Sequence, residues 1–209
     1  MTTQTINLDA LREAKVAAEP FPYFIVPNFI RAEALADIEK DYPAVDLPGS
    51  FPLPAVTYGA SFKQMIDEIQ GPEMTTVMAE KFDLDLSHRP TMITVRGRTD
   101  AKDGHIHTDS KTKLVTVLIY MNGKWEKPGG RLRLLRSKDN LNDMVAEVPP
   151  DQGTLLAFRN QPNAWHGHEE YIGPRRAIQL NWVRDKGVVW REQVRHRVSA
   201  WMKRVKRRA

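Results

Sequence analysis

The feature that most constrains this chain is a run of short β-type segments that begins after residue 90 and does not stop until residue 184. The segments fall at 92–95, 104–110, 113–122, 131–136, 145–148, 154–159, 164–168 and 175–184, and Gly, Pro, Asn and Asp separate them. Short strands at this rhythm close into an antiparallel sandwich or barrel. The first ninety residues read differently. Apolar residues at helical spacing predict helices at 8–18, with Asn7 or Asp9 as the cap, at 31–40, and at 61–82 with a break at Gly71-Pro72. A short strand at 23–26 and a loop at 46–60, rich in Pro and Gly, complete the lead-in. A loop of that length in a compact domain is either a binding lid or a surface excursion. The predicted class is α+β. One domain spans 1–189, with a helical lead-in over 1–90 and a jelly-roll β-core over 91–184, and a basic amphipathic helix follows over 190–209.

Composition narrows the function classes. With 209 residues, 41% hydrophobic and 27% charged, the chain has the makings of a globular core. It has no apolar run long enough to span a bilayer and no basic-then-apolar leader, so the expected location is cytoplasmic. Without cysteine, disulfides and thiolate ligands are excluded. The net charge of +5 is a local property, because residues 190–209 alone carry eight Lys and Arg against one acid. The β-core is therefore not a nucleic-acid binder by charge. Trp190, Val194, Val198, Trp201 and Val205 form one apolar stripe on the predicted tail helix. That stripe packs on the core or a second subunit, or the helix meets an acidic partner or an anionic surface. The oligomeric state is not legible.

Within the β-run, His107 and Asp109 are two residues apart. On a strand they point to one side, where an imidazole and a carboxylate can share a metal. One more histidine completes the two-His-one-carboxylate face that holds non-haem Fe(II) and leaves other positions open. His166 and His168 are in phase with each other and both are candidates; His105 is in phase with His107. The last strand splits into two faces. Arg175, Ala177, Gln179 and Asn181 share one, and Arg176, Ile178, Leu180 and Trp182 the other. If the helices cover the apolar face, Arg175 looks into the barrel, where it can grip a carboxylate with two parallel hydrogen bonds. Tyr120, in phase with Thr116 on the 113–122 segment, offers a hydroxyl to the same carboxylate.

The ordered set His107-x-Asp109, Leu114 to Asn122, Trp125, Gly129-Gly130-x-Leu132, Trp165-His166 and Gly173-x-Arg175-x-Ala177-Ile178 resembles the 2-oxoglutarate- and Fe(II)-dependent dioxygenases, in the prolyl-4-hydroxylase-like branch. The gaps of 57 residues from Asp109 to His166 and nine from His166 to Arg175 carry much of the likeness. The resemblance implies a double-stranded β-helix fold. It implies Fe(II) bound by His107, Asp109 and His166, with these three as the catalytic centre. Arg175, helped by Tyr120, would bind the distal carboxylate of 2-oxoglutarate. The implied reaction consumes O₂, converts 2-oxoglutarate to succinate and CO₂, and hydroxylates an unactivated C–H bond of a peptidyl or small-molecule substrate, with ascorbate as an auxiliary reductant. Asp109 fills a position that halide-transferring relatives leave open, so hydroxylation is expected over halogenation. The rival expectation is a non-catalytic or cupin-type metal-binding β-barrel.

Overall fold

The computed structural model describes residues 4–189, so the predicted 190–209 helix lies outside the described residues. The lead-in runs α1 (Leu8–Glu13), β1 (Tyr23–Val26), α2 (Ala32–Lys40), β2 (Phe51–Pro52), a 3₁₀ turn (Leu53–Ala55), α3 (Ala60–Ile69) and α4 (Pro72–Phe82). The β-core follows as β3 (Thr91–Thr99), β4 (Lys113–Tyr120), β5 (Leu132–Leu135), β6 (Met144–Val148), β7 (Leu155–Arg159), β8 (His166–Gly167) and β9 (Gly173–Val183). Two antiparallel sheets face each other: a major sheet of order β1-β7-β4-β9-β3-β2 and a minor sheet β6-β5-β8.

The helices do what the two-faced last strand requires. Ile178, Leu180 and Trp182 of β9 pair in register with Val95 and Ile93 on one side and with Ile119, Val117 and Val115 on the other. Along Ile178, Leu180 and Trp182 this outer face is apolar and packs under Phe62, Met65 and Ile69 of α3 and Met74, Val77 and Met78 of α4. Burying such side chains stabilises the fold by about 1.5–3 kcal/mol each. The inner face is a ladder of a different kind. Met92, Asn181 and Thr116 stand in one row, Thr94, Gln179 and Leu118 in the next, and Arg96, Ala177 and Tyr120 in the third. A second, smaller apolar cluster of Leu132, Leu134, Val148, Leu156 and Phe158 closes part of the space between the sheets. The rest of that space is open and polar.

Four expectations change. The helix at 8–18 ends at Glu13, where Lys81 Nζ takes the Arg12 and Ala14 carbonyls at 3.0 and 2.6 Å; Asn7 is its cap, accepting the Ala10 amide at 3.1 Å. The 164–168 segment shrinks to the two residues of β8. The 104–110 segment is not a strand: Gly104 sits at φ +96°, and His107 makes one isolated bridge. The 46–60 loop is stitched onto β3, through β2 (Phe51 opposite Val95) and a parallel bridge between Pro48 and Arg98. Gly97 permits this approach, since a Cβ there would lie 2.0 Å from the Val45 carbonyl oxygen. Among the described residues, no helix is long and apolar enough to cross a membrane.

Candidate metal centre

His107 reaches His166 without a strand of its own. The two residues form a hydrogen-bonded antiparallel bridge, each amide donating to the other's carbonyl at 3.0 Å. That pairing brings the two imidazole centroids to 4.4 Å. Asp109 completes the group: one ligand atom from each of His107, Asp109 and His166 lies within 4.8 Å of the others. Among the described residues no other such cluster of His, Cys, Asp or Glu occurs.

The backbone sets which imidazole nitrogen is available. His107 Nδ1 lies 2.8 Å from the His105 carbonyl, and His166 Nδ1 lies 3.0 Å from the Ala164 carbonyl. A carbonyl only accepts, so each Nδ1 carries a proton and each Nε2 is the nitrogen left to face a metal. Burial, with the neighbouring His107 and Lys113, pushes His166 down to about 4 against the opposing pull of Asp109, so it is neutral at neutral pH. Asp109 has two donors. Lys113 Nζ bonds Oδ1 at 2.7 Å and Thr116 Oγ1 bonds Oδ2 at 2.5 Å. Asn181 Nδ2 in turn donates to Thr116 Oγ1 at 2.9 Å, which leaves the threonine proton for the carboxylate. Burial alone would push Asp109 up, but Lys113, His166 and the two hydrogen bonds outweigh it and hold the carboxyl below its ordinary value. The centre thus presents two imidazoles and one carboxylate, the donor set of a non-haem Fe(II) site.

A cavity of roughly 290 Å³ runs inward from this centre. Arg175 and Tyr120 line it. Arg175 is 5% exposed and faces inward, as the two-faced strand requires. Its Nε donates to the Gly130 carbonyl at 2.8 Å, and its Cζ lies 5.2 Å from the Tyr120 ring centroid. Gly129 and Gly130, both near φ +70°, make the turn that aims this carbonyl. The Tyr120 hydroxyl is buried with no hydrogen-bond partner among the described residues. Burial pushes its pKa up, against the pull of Arg175, so it remains a neutral donor. Buried hydroxyls without partners are costly and rare, and one beside an inward arginine marks a place for an anion.

The sequence reading missed several lining groups. Arg96, one row along the same inner face, bonds Asp103 at 2.7 Å. Its in-register pairing with Ala177 would have placed it beside Arg175, but pairing is not visible in a single strand. Thr116 and Lys113 were not singled out as supports of Asp109. Lys113 lies four residues on, a spacing that suggests a contact only on a helix. His105 supplies its carbonyl to His107, and its ring is exposed. His168 is outside the ligand group. Its Nδ1 bonds the Glu169 carbonyl at 2.8 Å, and its ring packs against Gly104, where a Cβ would come within 2.5 Å.

Residues 98–184 match the family model described as the 2OG-Fe(II) oxygenase superfamily, an interval that contains His107, Asp109, His166, Tyr120 and Arg175. No curated protein matches the chain. Among solved structures, a Pseudomonas putida prolyl-4-hydroxylase is similar in fold at 15% identity and a TM-score of 0.51, over 85% of this chain and 93% of that one. The viral collagen prolyl hydroxylase of Paramecium bursaria Chlorella virus-1, in its 2OG complex, is similar at 12% identity and a TM-score of 0.51, over 78% of this chain and 96% of that one.

Proposed function

We propose that this chain, whose residues 98–184 match the family model of the 2OG-Fe(II) oxygenase superfamily, is an Fe(II)- and 2-oxoglutarate-dependent dioxygenase that hydroxylates an unactivated C–H bond. In this reading His107, Asp109 and His166 hold the iron, and Arg175 with Tyr120 holds the distal carboxylate of 2-oxoglutarate. The observation that carries it is the unpartnered Tyr120 hydroxyl beside Arg175, in the same cavity as the three metal-type ligands. A cupin-type metal site or a binding module that lacks the co-substrate has no use for a buried arginine and an orphaned phenol there.

The donor set fits the cofactor. Iron, when bound with 2-oxoglutarate and O₂, supplies the oxidising power that converts the co-substrate to succinate and CO₂ and inserts oxygen into the substrate. The chain's own residues orient and protect. The His105 and Ala164 carbonyls fix both imidazoles by their Nδ1 protons. Thr116 and Lys113 hold the Asp109 carboxylate ionised and in one orientation. The Gly130 carbonyl fixes the Arg175 fork, so the dicarboxylate is gripped at its far end and its other end is presented to the metal. Leu118, Leu132 and Ala177 line the interval between and restrict water.

The test is turnover. Purified protein with Fe(II), 2-oxoglutarate and ascorbate is expected to form succinate. Asp109→Ala should abolish it, and Arg175→Met should raise the 2-oxoglutarate requirement at least a hundredfold. Succinate formation that survives Asp109→Ala would sink the assignment.

A further inference from the structure

A second cavity, of roughly 390 Å³, opens on the other side of His107 and Asp109. It shares Ser50, Thr94 and Gln179 with the inner cavity, so the row Thr94–Gln179 of the sheet divides the two. From this, and resting on the iron and 2-oxoglutarate reading above, we propose that the second cavity is the primary-substrate site and that its substrate is a small polar molecule with a free carboxylate, not a residue within a peptide chain.

Three observations carry the proposal. The first is size. The volume is at the small end of the roughly 300–1,000 Å³ typical of ligand pockets, enough for a metabolite and short of what a folded peptide segment needs. The second is chemistry. Ligand pockets are mostly apolar, but here Met92 and Val188 are the only apolar lining residues among the described ones; the others are hydroxyls, amides, Lys113 and the two proposed metal ligands. Two of those polar side chains have nothing to bond. Thr94 is 6% exposed, Gln179 is half-buried, and neither side chain makes a hydrogen bond among the described residues. Both line the cavity, and their side-chain polar atoms remain available to a polar ligand.

The third is charge. Among the described residues, Lys113 is the only Lys or Arg in this cavity's lining. Its ammonium spends one of three protons on Asp109, and its side chain is 15% exposed against 9% for Asp109. A divalent metal at Asp109 draws on the same carboxylate. Lys113 then faces the cavity as a cation whose counter-charge has been taken up, and two further N–H groups are free to donate. An anionic group of the substrate restores the balance. The distal carboxylate of 2-oxoglutarate does not do so, because Arg175 and Tyr120 belong to the inner cavity alone.

The experiment loads the full chain with Mn(II), a redox-inactive stand-in, and 2-oxoglutarate. It then titrates free L-amino acids, each beside its carboxamide, following relaxation of the ligand protons by the bound Mn(II). At least one free acid should be relaxed by the metal and bind at least tenfold more tightly than its amide. In Lys113→Met that preference should disappear, with Mn(II) and 2-oxoglutarate titrated separately so that an altered centre is seen as such. The comparison of acid with amide in the unmutated protein stands even where the variant misfolds. Equal binding of acid and amide overturns the proposal. So does a protein that holds Mn(II) and 2-oxoglutarate yet binds none of the acids, or binds only an end-capped prolyl peptide. Failure to hold Mn(II) and 2-oxoglutarate at all would instead count against the underlying dioxygenase reading and remove this proposal with it.

Discussion

Tyr120→Phe separates a binding role from a packing role, because the two predict opposite signs. The variant deletes one buried hydroxyl that has no partner and keeps the ring under Arg175. An unsatisfied buried hydroxyl costs about 1–3 kcal/mol. Its removal should therefore stabilise the metal-free, ligand-free protein by up to that amount, and each kcal/mol raises Tm by about 2–4 °C in a chain of this size. A hydrogen bond to a charged carboxylate contributes about 1.5–3 kcal/mol, so the same variant should bind 2-oxoglutarate roughly 10- to 150-fold more weakly. Thermal unfolding without ligand and calorimetric titration of 2-oxoglutarate into the Mn(II) form read the two effects independently. A variant that melts lower than the parent and binds 2-oxoglutarate as tightly would refute the claim that this hydroxyl awaits an anion.

Three other perturbations have signs fixed by the structure. Thr116→Val removes a donor from Asp109 and leaves Asn181 Nδ2 without its acceptor, so a loss of about 1–3 kcal/mol in denaturant unfolding and a roughly 10- to 100-fold weaker metal affinity are expected. Gly97→Ala forces a Cβ against the Val45 backbone and should cost about 3 kcal/mol or more; Gly123→Ala, where nothing lies within 4 Å, should be within about 0.5 kcal/mol of neutral. His166 and His168 are both pushed by burial to about 4. The unfolded chain therefore takes up protons that the native metal-free chain refuses, and stability should fall as pH drops from about 6.5 toward 4. Denaturation midpoints at several pH values would show it, and a flat profile between pH 6.5 and 5 would contradict it.

The site was legible where periodicity and chemistry agreed. The alternation along 175–184 predicted both the apolar face under the helices and the inward Arg175, and the structure has both. His107 and Asp109 do lie together, beside His166, but by means the sequence did not contain. The two were expected on a strand, whereas an isolated bridge to His166 and hydrogen bonds from Lys113 and Thr116 hold them on an irregular segment. Such ties join residues whose neighbourhood depends on register between strands, and one strand read alone does not carry its register. The same limit hid Arg96, which becomes a neighbour of the cavity only through its pairing with Ala177. Loop 46–60 could not be placed because its anchors, Phe51 opposite Val95 and Pro48 opposite Arg98, again depend on register, and the room for Val45 beside them is the missing Cβ of Gly97.

The central claim is that His107, Asp109 and His166 hold one Fe(II). Anaerobic equilibrium dialysis tests it directly. The unmutated chain should retain about one Fe(II), His107→Ala, Asp109→Ala and His166→Ala should each lose it at micromolar iron, and His168→Ala should keep it. Retention by all three ligand variants, or loss only in His168→Ala, would contradict the assignment.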